Sequence, residues 1–335
     1  MNPQHRPKNL IIALLCLMML ALSTSCQNIA QKTANNQAPW PPDSSAITRI
    51  PIQTPVGEFK VWTQRFGQND KIKILLLHGG PAMTHEYMQC FEPFFIKEQF
   101  EFYQYDQLGS FYSDQPKDSS LWTTGRFVEE VEQVRKAIGA DASNFYLLGN
   151  SWGGILAMEY ALKYQQNLKG LIVSNMMASA PEYGKYAAEV LAKQMDPQVL
   201  AEVRTIEKNQ DFSNPRYMEL LMPHYERHVL RRPAAEWPEP MLRAFGKLNK
   251  KVYVPMQGPS ELGASGKLVH WDRTADLGRI AVEQIVVGKV ERHAVGLGVL
   301  QGRIDGGLVD VHRIHAAGAE LGRADGQDAR AAAVV

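Results

Sequence analysis

The stretch from Tyr146 to Leu162 reads YLLGNSWGGILAMEYAL, and it constrains the fold more than any other part of the chain. Its opening residues form a short apolar run of strand type. The residues after Ser151 follow a helix-like pattern rich in Leu, Ala, Met and Glu. Between the two lies a Gly-x-Ser-x-Gly, with Gly149 and Gly153 flanking Ser151. A chain that passes from strand to helix over so few residues turns sharply, and side chains at the flanking positions would clash in the turn. Ser151 is then either a nucleophile at the tip of the turn or a small residue that merely fits it.

The surrounding segments decide what kind of sheet the strand enters. EFKVWTQRFG alternates as an antiparallel strand does, and KIKILLLHGGP is a buried strand running into a Gly-rich turn. FEFYQYDQLGS repeats the strand-to-turn pattern. RFVEEVEQVRKAIGA places Phe127, Val128, Val131, Val134 and Ile138 on one helical face. NFYLLGN then leads to Ser151, GGILAMEYALKY is a helix, and LKGLIVSN is a further strand. Strands alternating with helices predict an α/β fold with a mostly parallel sheet. With 335 residues, 45% of them hydrophobic, the chain can bury one large core or a core with an inserted lid. The net charge of +1 offers no electrostatic footprint for nucleic acid or an anionic membrane surface.

The N-terminus carries a separate message. Arg6 and Lys8 precede an apolar run from Leu10 to Leu22, too short for a comfortable membrane span but suited to the apolar region of a secretory signal. Ser23, Thr24 and Ser25 lead to Cys26, and the whole resembles a bacterial lipoprotein signal in which Cys26 becomes the lipidated first residue. The alternative is an uncleaved anchor helix. Either way the protein is expected to be exported, and lipidation would hold it in the bacterial cell envelope. Residues 27–46 are polar, with Pro near the end, and read as a tether. With Cys16 in the signal and Cys26 carrying lipid, Cys90 alone remains in the body, so no disulfide is expected. Without a CxxC or a His/Cys cluster, neither is a zinc site.

In its strand-to-helix setting, the motif at Ser151 is similar to the nucleophile elbow of α/β hydrolases. Such a serine needs two backbone N–H donors for the oxyanion: that of the residue after it, here Trp152, and one from a Gly-rich turn after an early strand, here Gly80 of HGGP. His78 opens that turn. It reads as a packing residue, because the base of this fold comes late in the chain.

LLLHGGPAMTHEYM, YDQLGSFYSDQP and GNSWGGILAMEYAL, in this order and spacing, resemble the proline iminopeptidase family of α/β hydrolases, serine peptidases that release an N-terminal residue, often proline. The likeness runs from about Ile47 to about Gly288. Ala82 stands where the family usually has Gly. The resemblance implies an α/β-hydrolase core over 47–179, a helical cap over 180–269, where KYAAEVLAKQM and YMELLMPHYERHVL read as helical, and a return to the core over 270–289. It implies no metal or organic cofactor. It also implies two glutamates that hold the substrate's α-ammonium, one in a cap helix and one in a GPxE segment, which fall on Glu219 and Glu261. Taken singly, each reads equally as an ordinary solvated or turn acid, and Glu226 keeps that plain reading.

The C-terminal end fits less well. An elbow serine requires an acid and then a His. WDRTADLGRIAVEQIVVGKVE matches the family's lead-in and strand and brings Glu291 to the acid's place, but no GSH-like loop follows. Of His293, His312 and His315, the last stands nearest the expected separation and misses it by about a turn of helix. The 54 residues from Val282 to Val335 contain no Phe, Trp, Tyr, Pro, Ser, Thr, Asn, Cys or Met, whereas the 54 before them contain 15 of these. Residues 290–335 therefore read as a tail translated in another frame, or a disordered one.

These readings converge on a serine aminopeptidase acting on short peptides or aminoacyl amides. Ser151 is its nucleophile, Gly80 and Trp152 its oxyanion donors, and Glu291 and His315 its acid and base. An esterase or amidase of the same fold, or an envelope binding protein that has lost the triad, are the alternatives.

Overall fold

The computed structural model describes residues 45–287 and two short strands further on. Its main sheet has seven strands: β1 (Ser45–Thr54), β2 (Gly57–Phe66), β3 (Lys73–Leu77), β4 (Glu101–Asp106), β5 (Phe145–Asn150), β6 (Gly170–Ser174) and β7 (Glu283–Val287). They lie in the order β1-β2-β4-β3-β5-β6-β7. Strands β4, β3, β5, β6 and β7 are parallel, and the β1–β2 hairpin adds to one edge antiparallel. β8 (Gly302–Ile304) and β9 (Gly307–Val309) pair with each other. The α/β fold read from the sequence is thus the fold observed. One boundary moves: Ser45 and Ala46, placed in the tether, pair with Phe66 and Arg65 as the start of β1.

The period-2 alternation of β3 divides the core. Leu75 and Leu77 face one side, with Phe127, Val131, Trp152, Leu156 and Tyr160. Ile74 and Leu76 face the other, with Phe102, Tyr87, Met88 and Leu148. Helices α2 (Thr124–Ala137) and α3 (Trp152–Tyr164) cover the first face. On α2 the stripe of Phe127, Val128, Val131 and Val134 is buried, and Ile138 packs just beyond the helix end. The second face is covered by the turn His85–Phe91, α1 (Glu92–Lys97) and α7 (Glu239–Gly246).

Between β6 and β7 lies a helical segment. Helix α4 (Ala180–Tyr186) begins on a Ser179 cap, and its axis continues through a π-helical turn at Ala187–Leu191. Helices α5 (Pro197–Lys208) and α6 (Pro215–His224) start at Asp196 and Asn214, whose side chains accept from backbone N–H groups of the first turn. Pro223 has no N–H to give within α6, and the helix widens into a second π-helical turn at Tyr225–Val229. Val203, Ile206, Tyr217, Leu220, Leu221, Tyr225 and Leu262 give this segment a core of its own.

Contacts at Glu86 and Asn249 are among those that tie it to the core. Glu86 accepts from Arg243 Nε (2.8 Å) and Lys247 Nζ (2.6 Å). Burial alone would raise the Glu86 carboxyl, but the hydrogen bonds from Lys247, Arg243 and Thr84 prevail and hold it at about 2. Asn249, which caps α8 (Lys250–Met256), donates its N–H to the Ala82 carbonyl (3.1 Å) and its side-chain amide to the Gly109 carbonyl (2.8 Å).

Candidate active site

The C-terminal ends of the central strands are level with one another. Leu77 pairs with Gly149 and with Tyr105, Asn150 with Ser174, and Ser174 with Val287. Ligands and reacting groups of open parallel sheets gather at this edge. Ser151 follows β5 directly and holds φ 54°, ψ −127°, a conformation that side chains rarely adopt. The flanking glycines make it possible. A Cβ on Gly149 would come within 2.0 Å of the Gly153 carbonyl oxygen, and one on Gly153 within 2.0 Å of the Leu77 carbonyl oxygen. Any side chain at either place would push α3 off the end of β3 or β5. Strain of this kind is kept at functional turns, where it holds the side chain out of the sheet.

The turn after β3 packs against the serine. A Cβ on Gly79 would lie 3.0 Å from that of Ser151 and 3.3 Å from its Oγ, so only glycine leaves the approach open. Gly80 adopts φ 110° before a cis bond to Pro81, and Ala82 follows at φ 61°. The methyl at Ala82 therefore sits in the left-handed region, where a non-glycine residue costs about 1 kcal/mol, rather than simply filling space. Among the described residues, neither the Gly80 nor the Trp152 N–H donates a hydrogen bond, which leaves both free to serve an oxyanion.

His78 is fully buried and has no nitrogen to spare. Its Nδ1 donates to the Gly79 carbonyl (2.8 Å), while Nε2 accepts from the Gln107 N–H (3.1 Å) and faces the Ser110 hydroxyl (3.2 Å). Those partners assign the Nδ1–H tautomer. Burial lowers its pKa and keeps it neutral, so it braces the turn and takes no proton from Ser151. Gln107 extends the brace, accepting from Trp152 Nε1 (2.8 Å) and donating to the His78 carbonyl (3.0 Å). Nothing in the local sequence around Gln107 marks it for this. The same holds for the buried pair of His85 Nδ1 and Asp106 Oδ1 (2.7 Å), which fixes the loop after the turn beneath the stacked Trp62 ring.

The structure treats the two cap glutamates differently. Glu261 is surrounded by tyrosines: Tyr253 donates to its carboxylate (2.5 Å) and Tyr183 to its carbonyl (2.7 Å). The residue is half-buried. Burial pushes its pKa up against the opposing hydrogen bond from Tyr253. Glu219 lies in solvent, paired with Arg216 (3.3 Å), its side chain 64% exposed. Among the described residues no hydrogen bond or ion pair joins the two. The helical phase of α6 explains it: Tyr217, Leu220, Leu221 and His224 turn inward, so Glu219 faces out. That stripe was legible in the sequence and is the signal that would have placed it. Glu226 accepts from the Ala234 N–H (2.6 Å), a structural role. Cys26, Glu291 and His315 lie outside the described residues. Among the described residues no group of three or more His, Cys, Asp or Glu is placed to hold a metal ion, and no helix is long and apolar enough to cross a membrane.

Comparison with known proteins agrees with this geometry. The profile described as alpha/beta hydrolase fold matches residues 73–255. The chain is 68% identical over 240 residues to a proline iminopeptidase of Flavobacterium johnsoniae, spanning 71% of this chain and 80% of that one. It is 52% identical over 240 residues to one of Chitinophaga pinensis, with the same coverage. Among solved structures, VinJ superposes with a TM-score of 0.66 at 28% identity, covering 72% of this chain and 81% of that one. Proline iminopeptidase of Mycobacterium smegmatis does so at 0.61 and 26%, covering 72% and 80%. The fold and site are those of an α/β-hydrolase enzyme. Within that class, the chain belongs to the proline iminopeptidase family.

Proposed function

We propose that the protein is a serine aminopeptidase that releases an N-terminal residue, proline foremost, from short peptides or aminoacyl amides. One observation carries the reading: a strained Ser151 at the strand-to-helix turn, with the Gly79–Gly80 turn packed against it. Ser151 Oγ attacks the first peptide carbonyl, the C–N bond breaks as the amine leaves with the serine's proton, and water then hydrolyses the acyl-enzyme to free the N-terminal residue. The N–H groups of Gly80 and Trp152 receive the developing oxyanion. The serine proton passes to a His held by an acid, and in chain order Glu291 and His315 come nearest to those places. Because His315 misses the family's spacing, turnover by the chain as it stands is slow.

Glu261 supplies the negative charge that anchors the free ammonium, supported by its ring of tyrosines. Glu261→Gln is expected to lower kcat/KM for free-amine substrates by about 2 kcal/mol, roughly thirtyfold, and to spare N-blocked esters. Glu219→Gln should change neither. The sign of the pH effect follows from the raised pKa. As pH falls, Glu261 takes up its proton above the ordinary 4.5 and loses the charge that holds the amine. The acid limb for free-amine substrates therefore lies above 4.5 and disappears in Glu261→Gln. Equal losses on both substrate types, or a thirtyfold loss from Glu219→Gln, would refute the assignment.

We also infer that the N-terminal segment directs export and that Cys26 carries the lipid that holds the protein in the bacterial cell envelope. The charged start, the apolar run of Leu10 to Leu22 and the small residues before Cys26 support this. Mass spectrometry of the mature N-terminus is expected to find a lipidated Cys26. An intact Met1 to Ser25 segment would overturn it.

A further inference from the structure

Tyr87 lies in the turn His85–Phe91, eight residues past Gly79, and its side chain is buried among Leu76, Met88 and Leu148. Its hydroxyl is engaged at both ends. It accepts from the Gly79 N–H (2.7 Å) and donates to Asn150 Oδ1 (2.9 Å). Asn150 immediately precedes Ser151 and is anchored in turn by its amide to the Ser174 hydroxyl (3.3 Å). One oxygen atom thus joins the turn that carries the Gly80 N–H to the residue just before the nucleophile.

We propose that Tyr87 is a positioning residue for the oxyanion site, setting the Gly80 N–H relative to Ser151 through the hydrogen bonds of its hydroxyl to Gly79 and Asn150. The proposal rests on the nucleophile reading given above for Ser151. The peptide between Gly79 and Gly80 explains how the effect is transmitted. In a trans peptide the carbonyl and the following N–H point in opposite directions. His78 holds the Gly79 carbonyl, and Tyr87 holds the Gly79 N–H one peptide earlier. The two bonds fix both peptide planes of a glycine that would otherwise rotate freely. The direction of the Gly80 N–H follows from them. Burial keeps the phenol protonated well above the ordinary tyrosine range, so its donation to Asn150 persists at any working pH. Positioning matters here because oxyanion donors act only when aimed at the place where charge develops.

The test uses the full chain and a fluorophosphonate, which phosphonylates a reactive serine: the Oγ–P bond forms, fluoride leaves, and the serine proton passes to the base or to water. In Tyr87→Phe the maximal labelling rate constant is expected to fall about tenfold to a hundredfold, less than the loss of a whole oxyanion donor, with the concentration for half-maximal rate unchanged. Asn150→Ala, which removes the far end of the bridge and leaves the Tyr87–Gly79 bond, should give a defect of the same kind. The double variant should be no slower than the worse single one. Tyr160→Phe, which deletes another buried hydroxyl, the one bound to Glu132 (2.7 Å), should label at the parental rate. Should Tyr87→Phe fail to fold, Asn150→Ala carries the test alone. Parental labelling rates in the folded variants, or an equal loss in Tyr160→Phe, overturn the positioning role while leaving the nucleophile reading intact. If neither the parent chain nor the chain given a family-like acid and His after β7 shows labelling that Ser151→Ala abolishes, both readings are overturned.

Discussion

Gly153→Ala is expected to cost on the order of 3 kcal/mol or more of folding free energy, a large part of the ~5–15 kcal/mol that holds a domain together. The added methyl would stand 2.0 Å from the Leu77 carbonyl oxygen, 2.6 Å from its carbon and 2.9 Å from the His78 carbonyl oxygen. All three are backbone atoms at the end of a central strand, so no side-chain rotation relieves the contact. Either α3 lifts from β3 or the strand end bends, and both movements dismantle the turn around Ser151. Gly125→Ala, on the exposed first turn of α2 with nothing within 4 Å of the new methyl, is the matched control. It should be neutral or stabilising by up to about 1 kcal/mol. Urea titrations of the two variants decide the matter, and a loss below about 1 kcal/mol for Gly153→Ala would mean that the helix backs away easily.

Restoring a family-like ending after β7, with an acid just past the strand and a His in a GSH-like loop, should raise kcat on prolyl amides by at least about 10³ over the chain as it stands. A serine without a base keeps its proton, and only the roughly 10³–10⁴-fold catalysis of binding and the oxyanion site remains. The sheet supports the placement of the acid. Val287 pairs with Ser174 and Ser174 with Asn150, so a residue just past β7 starts from the same edge as Ser151. The restored activity should vanish in Ser151→Ala. Comparable, Ser151-dependent turnover by the two chains would instead assign the base to His315 and the acid to Glu291.

Much of the fold was legible because its signals are local. The apolar run of β5, the spacing of Gly149 and Gly153, and the buried stripe of α2 each depend on residues within a few positions of one another. The cap was legible as helical, though its π-helical turns were not, since Pro223 interrupts the bonding of α6 while the axis continues. The outward face of Glu219 follows from the rotation of α6 about its axis, which a family pattern of a helix and a glutamate does not carry. His78 reads as a packing residue, and its two engaged nitrogens fit that role.

By itself the sequence determined the α/β architecture, the strand-to-helix turn at Ser151 and the glycine turn that meets it, because period, glycine placement and residue type act over distances the chain itself spans. Only the tertiary structure decided which hydroxyl braces that turn, what engages the His78 ring nitrogens, and which carboxylate the tyrosines hold. Tyr87 reaches Asn150 across 63 positions, Gln107 reaches Trp152 across 45, and Tyr183 reaches the Glu261 carbonyl across 78. Hydrogen bonds of this kind are short-ranged and directional, so they exist only once the sheet and the cap have set atoms from distant segments within about 3 Å of each other.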